Sequence, residues 1–265
     1  MAISELTTQR NTKGGAASAS VTFTFPAAPT AGNLVVFGFS WRGDTTVTVV
    51  PFSCVLATNS GNGAGIDGAI YYKIASGAEG VTWTFTLAAS NKSAGVASEW
   101  SGISSTPLDK TNSNTGSGLA GTTGTTGTLT QVDELVVALF ANIDVDTWSL
   151  HDNGLTEIGG AASTGGANST RNTNSLATKI TSATTDINYG ATLSGIQTWS
   201  TAVATFQATA PISGGQRFFR QPYPQYPRQR AAEWPRGGLA VAEPIGVSVE
   251  TVAPRSRWSY RVVWR

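Results

Sequence analysis

The sequence predicts an all-β protein: a jelly-roll-like β-sandwich built from two repeated halves, followed by an extended C-terminal arm that ends in a hairpin. Three observations predict it: apolar residues alternate with polar ones in short segments between turn signals, the same order of segments is written twice, and the composition changes abruptly at Pro211.

The alternation comes first. Residues 20–25 (SVTFTF), 34–39 (LVVFGF) and 81–86 (VTWTFT) are rich in β-branched and aromatic residues with a period of two, which is the pattern of strands. No stretch carries a sustained apolar i, i+3, i+4, i+7 stripe with caps, and glycine-rich runs such as 60–65 (SGNGAG) interrupt any candidate helix. The repeat comes second. Leu34-Val35-Val36 matches Leu135-Val136-Val137; Tyr72-Lys73-Ile74 matches Thr178-Lys179-Ile180; Val81, Trp83 and Leu87 match Ile187, Tyr189 and Leu193; Val96-Ala97-Ser98 matches Val203-Ala204-Thr205. Four matches in one order define a body over residues 1–210, with repeats at about 15–108 and 128–208. Residues 111–127 read as a flexible link. The halves can pack as one sandwich or as two sandwiches in tandem, and one continuous body is the favoured reading.

The arm is the third element. In residues 216–230 (QRFFRQPYPQYPRQR) proline fixes φ and removes amide donors, so the backbone is extended and polyproline-like. Beyond it Val247, Val249 and Thr251 alternate with small or charged residues, and Trp258, Tyr260, Val262 and Trp264 do the same after Ala253-Pro254-Arg255. That pattern predicts a hairpin, which is marginal by itself and should add to an existing sheet. Residues 1–210 hold 8 Lys and Arg against 13 Asp and Glu, whereas residues 211–265 hold 9 Arg and 3 Glu. An acidic body thus carries a basic arm, and the arm is suited to an acidic or carbonyl-rich surface.

The candidate chemistry is sparse. Cys54 is the one cysteine, which excludes an intramolecular disulfide and a cysteine metal site, and it reads as a small buried apolar residue. His151 is the one histidine, in residues 149–154 (SLHDNG), and reads as a turn residue rather than a general base. Asp144, Asp146 and Asp152 lie close in sequence but lack the spacing of a calcium loop. Glu99 beside Trp100 is the most notable carboxylate, yet no second acid is nominated across a cleft, and the alternation points Glu99 outward, opposite to Val96, Ser98 and Trp100. No catalytic, metal or cofactor-binding residue is expected, and the protein is expected not to be an enzyme. Without an apolar leader or a run of about 18 apolar residues, neither classical secretion nor a membrane span is expected.

The partner-docking residues expected in the arm are Arg217, Phe218, Phe219, Arg220, Tyr223, Tyr226, Arg228, Arg230, Trp234, Trp258, Tyr260 and Trp264. Arg and aromatic side chains interleaved in this way stack on single-stranded nucleic acid, but they are also the residues favoured at protein interfaces, and the arm has no lysine. Protein docking is therefore the favoured reading.

The series 28–36 (APTAGNLVV), 71–73 (YYK), 99–102 (EWSG) and 107–109 (PLD) resembles a β-sandwich family of phage virion proteins and repeat-rich bacterial surface proteins. The resemblance covers residues 15–208. It implies a jelly-roll-like structural or adhesive module and brings no catalytic residues. The expected function is that of a virion structural protein: a head-decoration, head-fibre or tail-associated subunit made in the host cytoplasm and located in the virion. The arm would anchor it to major capsid or tail proteins and to copies of itself. The alternative is a carbohydrate- or receptor-binding module meeting a cell-surface glycan through coplanar exposed aromatics.

Overall fold

A computed structural model of the protein describes residues 2–61, 63 and 65–210 and the backbones of 249–252 and 259–262. The chain divides into two units, Met1–Ser213 and Gly214–Arg265. Among the described residues there is no α-helix, only two short 3-10 turns at Pro51–Ser53 and Asn168–Thr170.

Six strands form the first half: β1 (Ser4–Thr24), β2 (Leu34–Arg42), β3 (Val47–Val49), β4 (Val55–Gly61), β5 (Ile66–Ile74) and β6 (Thr82–Ser101). Six more form the second: β7 (Ile103–Thr122), β8 (Glu134–Ile143), β9 (Trp148–Ser149), β10 (Thr156–Ala162), β11 (Asn172–Ile180) and β12 (Gly190–Ala208). Each half is one antiparallel sheet. The first runs β1-β6-β2-β5-β4 with β3 on β6, and the second runs β7-β12-β8-β11-β10 with β9 on β12. Strand for strand the two orders are the same, so the repeat read in the sequence is a repeat of the fold.

The long strands explain how one sheet makes a core. In β6, residues 93–100 pair with β2, whereas residues 82–87 pair with β3 and with the last part of β1. The strand therefore bends over its own sheet. Val21, Phe23, Trp83, Phe85 and Leu87 thereby cover Val35, Phe37, Phe39 and Tyr71. The rings meet edge to face or tilted, with Phe37–Phe85 centroids 5.1 Å apart and Phe37–Trp83 5.2 Å, the geometry their quadrupoles favour. The second half repeats this with Ile187, Tyr189, Ala191 and Leu193 over Val136, Ala138, Phe140 and Val203.

The opposite faces of the two sheets meet each other. Leu34, Val36, Ile70, Val96 and Trp100 pack against Leu135, Val137, Leu139, Leu176 and Phe206 in a third cluster. Hence β2 and β8 are buried on both faces, and the continuous apolar runs LVVF and LVVALF follow from that, as in sheets covered on both sides. Gly38 belongs to this interface, since a Cβ there would lie 2.3 Å from Leu176 Cδ1. Its counterpart across the repeat is Leu139.

Three sequence expectations are corrected. Residues 111–127 are not a flexible link: through Thr122 they are the edge strand β7, the counterpart of β1, paired with β12 from Ile103 to Thr122. The halves instead join at Gly102, whose φ of +78° and close approach to Ala2 O exclude a side chain. The repeats accordingly span β1–β6 and β7–β12, longer than 15–108 and 128–208. The fourth match is one residue out of register, because Leu34 faces Trp100 and Leu135 faces Phe206, so Val96 corresponds to Ala202 and Val203 to Ala97. A one-residue slip exchanges the two faces of a strand. Accordingly, Val96 lies in the shared cluster and Val203 in the second half's own core.

The other matches stand. Leu34 and Leu135 face Ile74 and Ile180, and Phe25 N–H donates to Val81 O as Thr126 N–H donates to Ile187 O. The five extra residues of the second half lie in one loop: four residues (62–65) connect β4 to β5, and nine (163–171) connect β10 to β11. That longer loop ties the halves together. Thr164 N–H donates to Gly15 O (3.1 Å), Arg42 Nη2 to Ser169 O (3.2 Å), and Lys92 Nζ to Gly165 O. At its end Asn172 Nδ2 donates to Ser40 Oγ (2.8 Å).

In the second unit, β13 (Val249–Val252) and β14 (Ser259–Val262) pair antiparallel with Val252 opposite Ser259. A strand pair is expected here, and the turn expected at Ala253-Pro254-Arg255 lies outside the described residues.

Candidate functional surfaces

The expected docking residues Arg217, Phe218, Phe219, Arg220, Tyr223, Tyr226, Arg228, Arg230, Trp234, Trp258 and Trp264 lie outside the described residues. Tyr260 falls in β14, opposite Thr251 in register.

Within the body the candidate groups are engaged in holding the fold. Cys54 is buried, and burial pushes its thiol up to about 12, which leaves it protonated and unreactive at neutral pH. His151 lies edge-on to Phe140 (5.3 Å between centroids), with Nε2 3.0 Å from Ser175 Oγ. Burial lowers its pKa while Glu157 and Asp152 oppose the shift. The three aspartates do not converge. Asp144 Oδ1 accepts from Val145 N–H, Asp146 accepts from Ser194 Oγ and Gln197 Nε2, and Asp152 accepts from Gly190 N–H. No group of three possible metal ligands occurs among the described residues.

Glu99 overturns an expectation. It does lie on the face opposite Trp100, but that face is covered too, and Glu99 is fully buried. Its Oε1 accepts from Thr30 N–H (2.9 Å) and Asn33 Nδ2 (2.6 Å). The repeat places a second buried carboxylate at the same spot from the other strand: Asn33 corresponds to Glu134 and Glu99 to Thr205. Glu134 is fully buried, with Gln131 N–H donating to Oε1. Burial raises its pKa, and neighbouring Asp109 raises it further against a bond with Thr205. Asp109 is held below the ordinary range: burial pushes it up, but bonds from Lys110 Nζ (2.9 Å) and Thr130 N–H (2.8 Å), with Glu134, outweigh that. Sequence reasoning missed this pairing of acids. The repeat sets Glu134 beside the strand that carries Thr205, but only the pairing of β7 with β12 brings Asp109 to it.

The Trp and Tyr side chains of the body serve its cores. Trp41, Trp83, Trp100, Trp148, Trp199, Tyr71 and Tyr189 are all buried, so the described body offers no coplanar pair of exposed Trp or Tyr. The exposed aromatic is Phe52, 42% accessible, lying across Trp83 with centroids 4.6 Å apart. Its backbone is left-handed (φ +48°), and so is that of Ser53 (φ +57°). A bulky side chain in this region is strained.

The second half has different residues at these two positions, although its own turn holds Leu150 in left-handed backbone (φ +48°) and exposed. There Asn153 (φ +51°) and Gly154 (φ +77°) stand at the corresponding positions. Asn and Gly tolerate that conformation best. Val55 and Leu56 follow on β4, nearly half exposed, and Val49 and Val81 are exposed as well. Register equates Val55 with Thr156 and Leu56 with Glu157, because β4 and β10 carry the same bulge against β5 and β11. The first half thus presents Phe, Val and Leu where the second presents Asn, Thr and Glu. Beside this patch lies a depression of about 400 Å³ lined by Val55, Tyr72, Ile74, Pro107 and Leu108. Compared with known protein families, curated proteins and solved structures, the chain matches none.

Proposed function

We propose that this protein is a structural subunit of a virion, a head-decoration, head-fibre or tail-associated component whose arm fastens it to major capsid or tail proteins. The observation that carries this reading is the division of labour along the chain. The acidic body buries its Trp side chains and most of its Phe and Tyr side chains in its own cores. The segment 211–265 concentrates nine arginines with Phe, Tyr and Trp between prolines. Proline limits the ordering cost of binding, and aromatic and Arg side chains supply large contacts with charge-assisted hydrogen bonds. The β13–β14 pair supports the same reading, since a two-stranded sheet is marginal until it joins a larger one. An adhesive module would need aromatic faces presented to a sugar, and the described Trp and Tyr side chains supply none. On this reading the protein catalyses nothing.

The test is removal of residues 211–265. The truncated chain should remain soluble with the β spectrum of the body and be missing from purified particles, where immunoblotting finds the full chain. Incorporation of the truncated protein at normal occupancy would refute the docking role.

A further inference from the structure

We infer that Asp109 and Glu134 hold one proton between them, and that its loss to solvent as pH rises releases the loop 127–133 and the end of β12, a pH-sensitive catch at the root of the arm. This goes beyond the proposed docking role and does not depend on it.

The geometry begins with two adjacent amides. Thr130 N–H donates to Asp109 Oδ2 (2.8 Å) and Gln131 N–H to Glu134 Oε1 (3.3 Å), so the two carboxyl groups grip consecutive residues of one loop. The same two residues hold β12: Gln131 Nε2 donates to Ala208 O (3.3 Å), and Thr130 Oγ1 accepts from Gln207 Nε2 (2.6 Å). β12 ends at Ala208, and the chain runs on from there towards residues 211–265.

The first half shows what the pair needs. There Thr30, the counterpart of Gln131, donates its N–H to Glu99 Oε1, and Asn33, the counterpart of Glu134, donates from Nδ2 to the same oxygen. An amide donates at every pH. A carboxyl donates only while it is protonated, and once ionised it only accepts. Glu134 therefore stands in the donor's place with a group that must keep its proton to act as one, and the acceptor beside it is Asp109. Glu134 Oε2 is buried and accepts from no donor, which leaves that oxygen to carry the proton.

Burial and the surrounding charges decide which acid keeps it. Glu134 is fully buried and the Asp109 side chain is 5% exposed, so two negative charges here repel with little water to screen them. Lys110 Nζ, 2.9 Å from Asp109 Oδ1, favours the ionised form of Asp109. From β12 the facing groups are Thr205 and Gln207, and from the end of β11 Thr181, whose Oγ1 accepts from Glu134 N–H; none of these carries charge. Asp133, next in the loop, is exposed to solvent. The raised carboxyl of Glu134 and the depressed one of Asp109 agree with this assignment, and the two titrate as a pair.

The experiment is amide exchange of the full chain, followed by NMR from about pH 5 to about pH 9, above the ordinary Glu value of about 4.3, with each rate corrected for its intrinsic pH dependence. Thr130 and Gln131 should lose protection together, by about tenfold or more, while Phe140 in the middle of β8 keeps its own. Glu134→Gln places a permanent donor beside Asp109 and should abolish the step, leaving both amides protected throughout. Asp109→Asn removes the second charge and should move the step to lower pH. Protection that does not change with pH in wild type overturns the proposal, as does a fall shared by Phe140, which would be unfolding of the body rather than release of the loop. So does a step that persists in Glu134→Gln, which would put the titrating group elsewhere, or one that Asp109→Asn leaves at the same pH, which would make it the burial of Glu134 alone.

Discussion

At the scale of single residues, two carboxylates show opposite uses of burial. Glu79, in the loop between β5 and β6, is buried, and burial would push its carboxyl up. Bonds from the Ser76 and Gly77 N–H groups and from Ser76 Oγ outweigh this and hold it below the ordinary range. Its contribution is complete above the unfolded value, about 4.3 for Glu, and is lost as pH falls through the depressed folded value. Glu79→Gln should lower stability by about 1–3 kcal/mol at neutral pH and by less in acid, as urea unfolding at the two pH values would show. Glu134 has the other sign. Its folded pKa is raised by burial and by Asp109, so its contribution is complete below the unfolded value and is lost as pH rises through the raised one. Glu134→Gln keeps an acceptor for Gln131 N–H and removes the buried charge. It should therefore raise stability relative to wild type more at pH 8 than at pH 4, and equal effects at both would contradict the raised pKa.

At the scale of elements, the two halves act as controls for each other. Gly38 on β2 leaves room for Leu176 of β11, and Gly68 on β5 lies under Leu139 of β8, so small residues of one sheet receive large ones of the other. Gly38→Ala should cost about 1–3 kcal/mol through overpacking, and Leu139→Ala about 2–5 kcal/mol through the cavity it leaves. The double variant should cost more than either alone if the two strands contribute independently, which chemical denaturation of all three proteins would measure. The repeat was legible in the β2/β8 and β5/β11 matches, where both faces are buried and the sequence is correspondingly constrained. It was misread in β6/β12 by one residue. There Val96 and Val203 are similar in type but face different cores, and short similar words do not fix register without the partner strand.

At the scale of the whole molecule, the first unit holds three clusters in series: one inside each half and one between them. Because β2, β6, β8 and β12 contribute to two clusters each, neither half can lose its packing without exposing the shared interface. Calorimetry of the body should therefore show a single cooperative transition with calorimetric and van't Hoff enthalpies in agreement. Two resolved transitions would mean that the halves behave as independent domains. Asn172, whose side chain reaches Ser40 across the interface, tests the tie between them: Asn172→Ala should lower the midpoint by an amount corresponding to about 1–3 kcal/mol.

The sequence by itself determined the class of fold, the existence and order of the repeat, the terminal strand pair and the contrast between an acidic body and a basic arm. These follow from local periodicity, turn residues and composition, which act along the chain. Only the tertiary structure decided which face of β6 meets which core, that Glu99 is buried, that Asp109 and Glu134 are neighbours, and that residues 111–122 are a strand. The physical reason is common to these cases. An edge strand such as β7 is specified by backbone hydrogen bonds to β12, which demand little of its side chains, so TNSNTGSGLAGT reads as a linker. Likewise, a polar residue on an alternating strand reads as outward until a second layer, brought over it by the bend of β1 and β6, leaves it no solvent to face.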